Sequence, residues 1–286
     1  MTASKSLSAR SPTPQGVQRQ SINKDDDGLK HAPESQRVAK ESRRQLCNVK
    51  AADIKVSPED NITDVTALLH VPQNYHREQA EGREKTAAIL IASEEGGVLG
   101  PKSMYLSIAD KVASLQRGVP VLRLDQRYPA RTKYCVADIK AAMDYLHNGF
   151  AVSRFVVVGW GFGSAPAITA AAEDDRIVAC ATIAGQLAET EGIEQIAKRS
   201  MPVLFIHGME DRTLSPDCSR SLSASYERSS RAGTGELAMF EGGDHELSEK
   251  SLKAEELLCN FIVNAAGDEI GHEERMGWVR QSLLPS

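Results

Sequence analysis

Aromatic residues are scarce in this chain, at 5% of 286 positions with two tryptophans among them. No apolar run reaches the roughly 18 residues needed to cross a bilayer, and no apolar segment follows the N-terminus as in a secretory signal. A membrane is therefore not an expected partner. The five cysteines, Cys47, Cys135, Cys180, Cys218 and Cys259, are widely spaced and form no C-x-x-C pair. That spacing argues against a zinc site and a disulfide framework alike, and leaves reduced, mostly buried thiols. Nor is there an excess of positive charge: the formal net charge is −5, the isoelectric point is near 5.9, and the basic residues are scattered. Such a surface offers nothing to a nucleic acid. These absences leave a cytoplasmic protein with a small molecule as its expected partner, no metal and no cofactor. Nothing in the sequence sets an oligomeric state.

Residues 1–45 differ from the rest. They are rich in Ser, Gln, Lys and Arg, poor in apolar residues, and carry no acid before Asp25. Such a segment buries too little surface to offset its ordering entropy, so 1–45 reads as a disordered tail. The missing acids make mitochondrial import the lesser alternative, since no amphipathic stripe accompanies them. Residues 46–268 suit one α/β domain, and 269–286 read as a C-terminal extension.

After the tail, short β-rich runs alternate with helical periodicity, the pattern of a mostly parallel sheet with helices on both faces. Val65–Leu69 alternates weakly and reads as an outer strand. Ala87–Ala92, Pro120–Leu124, Phe155–Val158, Ile177–Thr182, Pro202–Ile206 and Glu236–Phe240 read as the other strands, the apolar runs among them buried on both faces. Helices are expected over about 103–116, 136–148, onward from 164, 189–199 and 252–265.

Phe155–Val158 runs straight into Gly159-Trp160-Gly161-Phe162-Gly163 and then a helix. A strand, a tight turn and a helix with glycine at both flanks is the build of a nucleophile elbow, whose central residue sits at strained positive φ. Here the central residue is Gly161. The same glycines also suit a dinucleotide-binding turn, but they come late in the chain and no acid ends the following strand. Two more strand ends complete the pattern. Pro202–Ile206 leads into His207-Gly208-Met209-Glu210-Asp211, and Glu236–Phe240 leads into Glu241-Gly242-Gly243-Asp244-His245. Nucleophile position, acid, then histidine is the chain order of a hydrolase triad on this architecture. Asp211 is expected to fix the imidazole tautomer and His245 to act as the base. Asp244 competes for orienting His245, and Glu210 for the acid. Ser164, one helical turn past Gly161, is an alternative nucleophile whose plainer role is a first-turn hydroxyl.

With these motifs in place, the chain resembles the α/β-hydrolase superfamily over almost everything after the tail. Ser93-Glu94-Glu95-Gly96-Gly97, followed by Ile108-Ala109-Asp110-Lys111-Val112-Ala113, is similar to dienelactone-hydrolase relatives and to small fungal hydrolase-like proteins whose elbow reads G-W-S-F-G. The resemblance implies oxyanion-hole amides near Glu94 and at Phe162, with Glu95 and Trp160 in the same substrate-binding region. It also implies a lid after the sixth strand, for which only about 186–200 is available, so the lid is minimal. The chain departs from the pattern twice. Gly161 has no side chain with which to form an acyl-enzyme. Glu94 and Glu95 place negative charge in a loop that usually stabilises an oxyanion.

The expected function is that of an esterase- or lactonase-like hydrolase, or a lyase, working on a small ester, lactone or thioester-like metabolite. It would use the His245–Asp211 pair without a serine nucleophile. One alternative is an inactive pseudoenzyme that binds a small ligand or a protein partner. Another is a serine hydrolase using Ser164.

Overall fold

The computed structural model describes residues 47–56, 64–76, 84–92, 96–127, 130–232 and 234–283. The tail 1–45 and the acidic pair Glu94 and Glu95 lie outside the described residues. Within them, one sheet contains β1 (Cys47–Lys55), β2 (Asp64–Pro72), β3 (Thr86–Ile91), β4 (Val121–Leu124), β5 (Arg154–Trp160), β6 (Ile177–Ile183), β7 (Val203–Gly208) and β8 (Gly235–Phe240). Their spatial order is β1-β2-β4-β3-β5-β6-β7-β8. β2 is antiparallel to both of its neighbours, and the other pairings are parallel.

Parallel strands need crossover connections, and helices supply them. They are α1 (Met104–Ala113), α2 (Thr132–Phe150), α3 (Ser164–Glu173), α4 (Ile193–Lys198) and α5 (Asp217–Ser229), while α6 (Ser251–Ala265) follows the last strand and packs beside α1. The period-2 alternation of strand side chains explains why the central strands are apolar throughout. Phe155 and Val157 enter the core beneath α2, α3, α4 and α5, whereas Val156 and Val158 enter the core beneath α1 and α6. Ala87, Ile89 and Ile91 alternate with Ala88 and Leu90 in the same way on β3. Among the described residues, no helix is long and apolar enough to cross a membrane.

The structure adds to the sequence reading in three places. Val65–Leu69 lies one strand in from the sheet's edge, because β1 pairs along its whole length with β2. β1 hides two of its nine residues, Cys47 and Ile54, so it carries almost no apolar pattern. Helix α5 was not expected either. Its sequence is mostly serine and charge, with Leu222 and Tyr226 as its buried apolar pair at i, i+4. Finally, the segment after 268 packs onto the domain: Ile270 and Val279 join the core under α1 and α6, and Trp278 Nε1 donates to the Lys111 carbonyl at 3.2 Å.

The same layer contains a fully buried ammonium. Lys111 on α1 pairs with Glu255 on α6, and Ser107 Oγ donates to Glu255 Oε2 at 2.6 Å. Breaking a buried pair strands the remaining charge, which costs about 3–5 kcal/mol. Lys111→Met is therefore expected to lower the unfolding free energy by about that amount in urea denaturation, and adding Glu255→Leu should recover most of it. Equal stability of the single and double variants would show that the pair contributes no specific constraint.

Candidate active site

The loops after β5, β7 and β8 leave the carboxyl ends of parallel strands, where ligands of open α/β sheets gather. Gly159 ends the straight part of β5. A Cβ there would meet the Gly163 carbonyl oxygen at 2.3 Å, and a Cβ on Gly163 would meet the Ile91 carbonyl oxygen at 2.6 Å. These two glycines let α3 press against the ends of β5 and β3. Between them, Gly161 has φ of 55°, the left-handed value an elbow imposes on its central residue.

The acid and histidine loops are stitched together by backbone. Met209 N–H donates to the Phe240 carbonyl at 2.8 Å and Glu210 N–H to the Gly243 carbonyl at 2.9 Å. Gly208 makes the approach possible, since a Cβ there would lie 2.3 Å from the Gly243 oxygen. The result is contact between Asp211 and His245, with His245 Nδ1 2.7 Å from Asp211 Oδ2. Asp211's side chain is fully buried, while His245's is 18% exposed and so reachable by a ligand. Asp211 Oδ1 accepts the amides of Thr213 and Leu214 at 2.8 and 2.9 Å. A carboxylate only accepts, so the proton of this contact belongs to His245 Nδ1. His245 Nε2 is then left with its lone pair, as a base requires.

Trp160 fixes this histidine beside the elbow. Its Nε1 donates to the His245 carbonyl at 3.2 Å, and the two ring centroids lie 5.3 Å apart. Beneath the indole lies Gly96, where a Cβ would come within 2.5 Å of the Trp160 ring. The β3–α1 loop is held from the other side by Arg123, which donates to the Val98 carbonyl at 2.9 Å. Lys102 at the start of α1 pairs with Glu246 at 3.3 Å, so this loop is also joined to the histidine loop.

The competing residues take other positions. Asp244 binds the Ser248 amide and hydroxyl, both at 2.7 Å. Although partial burial works the other way, the Ser248 bonds and nearby Lys102 hold its carboxyl below the usual value. Glu210 points to solvent. Ser164 is fully buried, and its hydroxyl donates back to the Gly159 carbonyl at 3.2 Å. That leaves the hydroxyl with no exposed surface and a backbone partner of its own. Phe162 is half-buried at the first position after Gly161. Cys180 is buried in β6, and burial pushes its thiol up to about 12.

One residue of the site went unread in the sequence. His207, at the end of β7, lies with its Nε2 3.1 Å from Asp211 Oδ2 and its Nδ1 2.7 Å from Ser219 Oγ. Burial pulls its imidazole below the usual histidine range, against the opposing pull of the Leu214 carbonyl and Asp211. The signal was its place four residues before the acid in His207-Gly208-Met209-Glu210-Asp211.

Among the described residues, Cys47, His70 and Asp110 have metal-ligand spacing, with donor atoms within 4.8 Å of one another. Arg123 Nε donates to His70 Nε2 at 3.0 Å, which puts the imidazole proton on Nδ1, facing Asp110 Oδ1 at 2.7 Å. A cation would need the Nδ1 lone pair that this proton occupies. The cluster fits a buried hydrogen-bond chain joining β1, β2, β4 and α1, and does not fit a metal.

This architecture is that of an α/β hydrolase. Among solved structures, Est1E from Butyrivibrio proteoclasticus superposes with a TM-score of 0.61 at 18% identity, covering 76% of this chain and 99% of its own. A putative alpha/beta hydrolase of unknown function from Agrobacterium tumefaciens gives 0.59 at 14% identity, covering 82% and 99%. A puromycin-hydrolyzing peptidase of Mycobacterium tuberculosis gives 0.58 at 18% identity, covering 78% and 40%. Identities this low show the fold alone. The family is shown by sequence: residues 122–281 match the dienelactone hydrolase family, and the chain belongs to it. No curated protein matches the chain.

Proposed function

We propose that the protein hydrolyses a small ester, lactone or thioester-like metabolite by direct attack of water, with His245 as general base. The observation that carries this reading is the 2.7 Å contact of His245 Nδ1 with buried Asp211, beside an elbow whose central residue has no side chain. His245 Nε2 takes a proton from water as the oxygen adds to the acyl carbon. The Phe162 amide receives the developing oxyanion. Collapse of the tetrahedral adduct expels the alkoxide or thiolate, which takes the proton back from His245. Acid and alcohol (or thiol) leave, and no bond to the protein forms. The 15-residue stretch 186–200, with α4 as its single helix, leaves the site thinly covered, which suits a small substrate.

A panel of activated esters and small lactones, run beside a fluorophosphonate probe, tests the proposal. Turnover without labelling is the expected result. Labelling that maps to a serine would overturn it. Thermal stabilisation by a panel compound without turnover would overturn it in favour of the binding protein that the missing nucleophile also permits.

A further inference from the structure

Asp211 is shared by two histidines. His245 Nδ1 and His207 Nε2 both lie on Oδ2, at 2.7 and 3.1 Å, while Oδ1 takes two backbone amides. The His207 proton can be placed from its partners. Its Nε2 faces two acceptors, Asp211 Oδ2 and the Leu214 carbonyl at 3.2 Å, so Nε2 must donate. Its Nδ1 faces Ser219 Oγ at 2.7 Å, and a neutral ring with Nε2–H accepts the serine hydroxyl proton there. Every polar atom of the imidazole is thereby satisfied inside a fully buried setting.

We propose that His207 is a positioning residue of this site: as an Nε2–H donor it holds Asp211 Oδ2 aimed at His245 Nδ1, and so fixes the tautomer of His245. The inference rests on the function proposed above for its consequence in turnover, though not for its structural content. Asp211 has a fully buried side chain, and a buried anion is stable only while its lone pairs are bonded. Removing the His207 donor takes away one of its hydrogen bonds and orphans the Leu214 carbonyl. Oδ2 is then free to turn away from His245 Nδ1, and an imidazole proton left without its acceptor exchanges through solvent to Nε2, which removes the base. The other charged groups of these loops do not replace His207. Asp244 is bound to Ser248, Lys102 pairs with Glu246, and Glu210 and Arg212 are exposed.

Long-range proton–nitrogen NMR reads both tautomers directly. In the unaltered protein, His207 should show Nε2–H and His245 Nδ1–H. In His207→Leu, His245 should move toward Nε2–H, and kcat should fall by about 10–100-fold with KM little changed, the usual cost of losing an outer-shell partner. His207→Gln restores an amide donor and should return both readouts toward the starting values. If the leucine variant fails to fold, Ser219→Ala serves instead: Nε2 still faces its two acceptors, so His207 should keep Nε2–H and His245 its Nδ1–H, and movement of either proton overturns the inference. A folded His207→Leu protein in which His245 keeps its Nδ1 proton overturns the inference, as does an Nδ1–H signal from His207 in the unaltered protein. Should the unaltered protein hydrolyse nothing, the proposed function fails, and the tautomer shift still decides this inference.

Discussion

Turnover of an activated ester is expected to fall about 10²- to 10⁴-fold in His245→Ala, the range general-base catalysis contributes. The loss should appear in kcat, because the imidazole meets the reacting water in the transition state and adds little to substrate binding. The variant should still fold at some cost in stability, since a mostly buried side chain is cut back and Asp211 loses one of its four donors. Asp211→Asn is a sharper companion. It preserves shape while placing an amide where His245 Nδ1 needs an acceptor, and inversion of the tautomer is expected. Progress curves across a pH series, with circular dichroism to confirm folding, supply the measurement. If His245→Ala hydrolyses as fast as the unaltered protein, the chemistry lies elsewhere.

Gly161→Ser should turn the site into one that forms an acyl-enzyme. The oxygen would stand on the tip of the elbow, next to the Phe162 amide and the loop that carries His245. Removing the nucleophile from a working triad costs on the order of a million-fold, so a gain of about 100-fold on insertion asks for a small part of that. A side chain at φ 55° adds backbone strain of roughly 1–2 kcal/mol, and a matching fall in stability should accompany the gain. Fluorophosphonate labelling mapped by mass spectrometry to position 161, absent before the change, is the decisive observation. A stable variant that neither labels nor hydrolyses faster would mean that the elbow and His245 are not aligned for attack.

The parts of the fold that the sequence disclosed are those where one physical demand dominates. β3, β5 and β7 are buried on both faces, so their apolar runs stand out. The elbow glycines are dictated by the contacts of Gly159 with Gly163 and of Gly163 with Ile91, where no side chain fits. Gly208 and Gly243 mark the meeting of the acid and histidine loops for the same reason. β1 was illegible because its hydrogen bonds to β2 fix it while its side chains stay largely outside the core. α5 was illegible because two apolar residues one turn apart are enough to seat it. His207 stood in plain view next to the acid, but its partner Ser219 comes twelve residues later and across a turn. Such a pairing exists only after folding. Asp211 is buried and Glu210 exposed, a difference that no local pattern records.

Trp160 has an optical consequence. The chain has two tryptophans, and this one is 2% exposed, with its indole centred 5.3 Å from the His245 ring. Excited indoles lose their energy readily to an adjacent imidazolium and far less to a neutral ring. The emission of Trp160 is therefore an internal gauge of the charge and placement of His245. Trp278, bonded to the Lys111 carbonyl in the C-terminal segment, provides the steady background against which that signal is read.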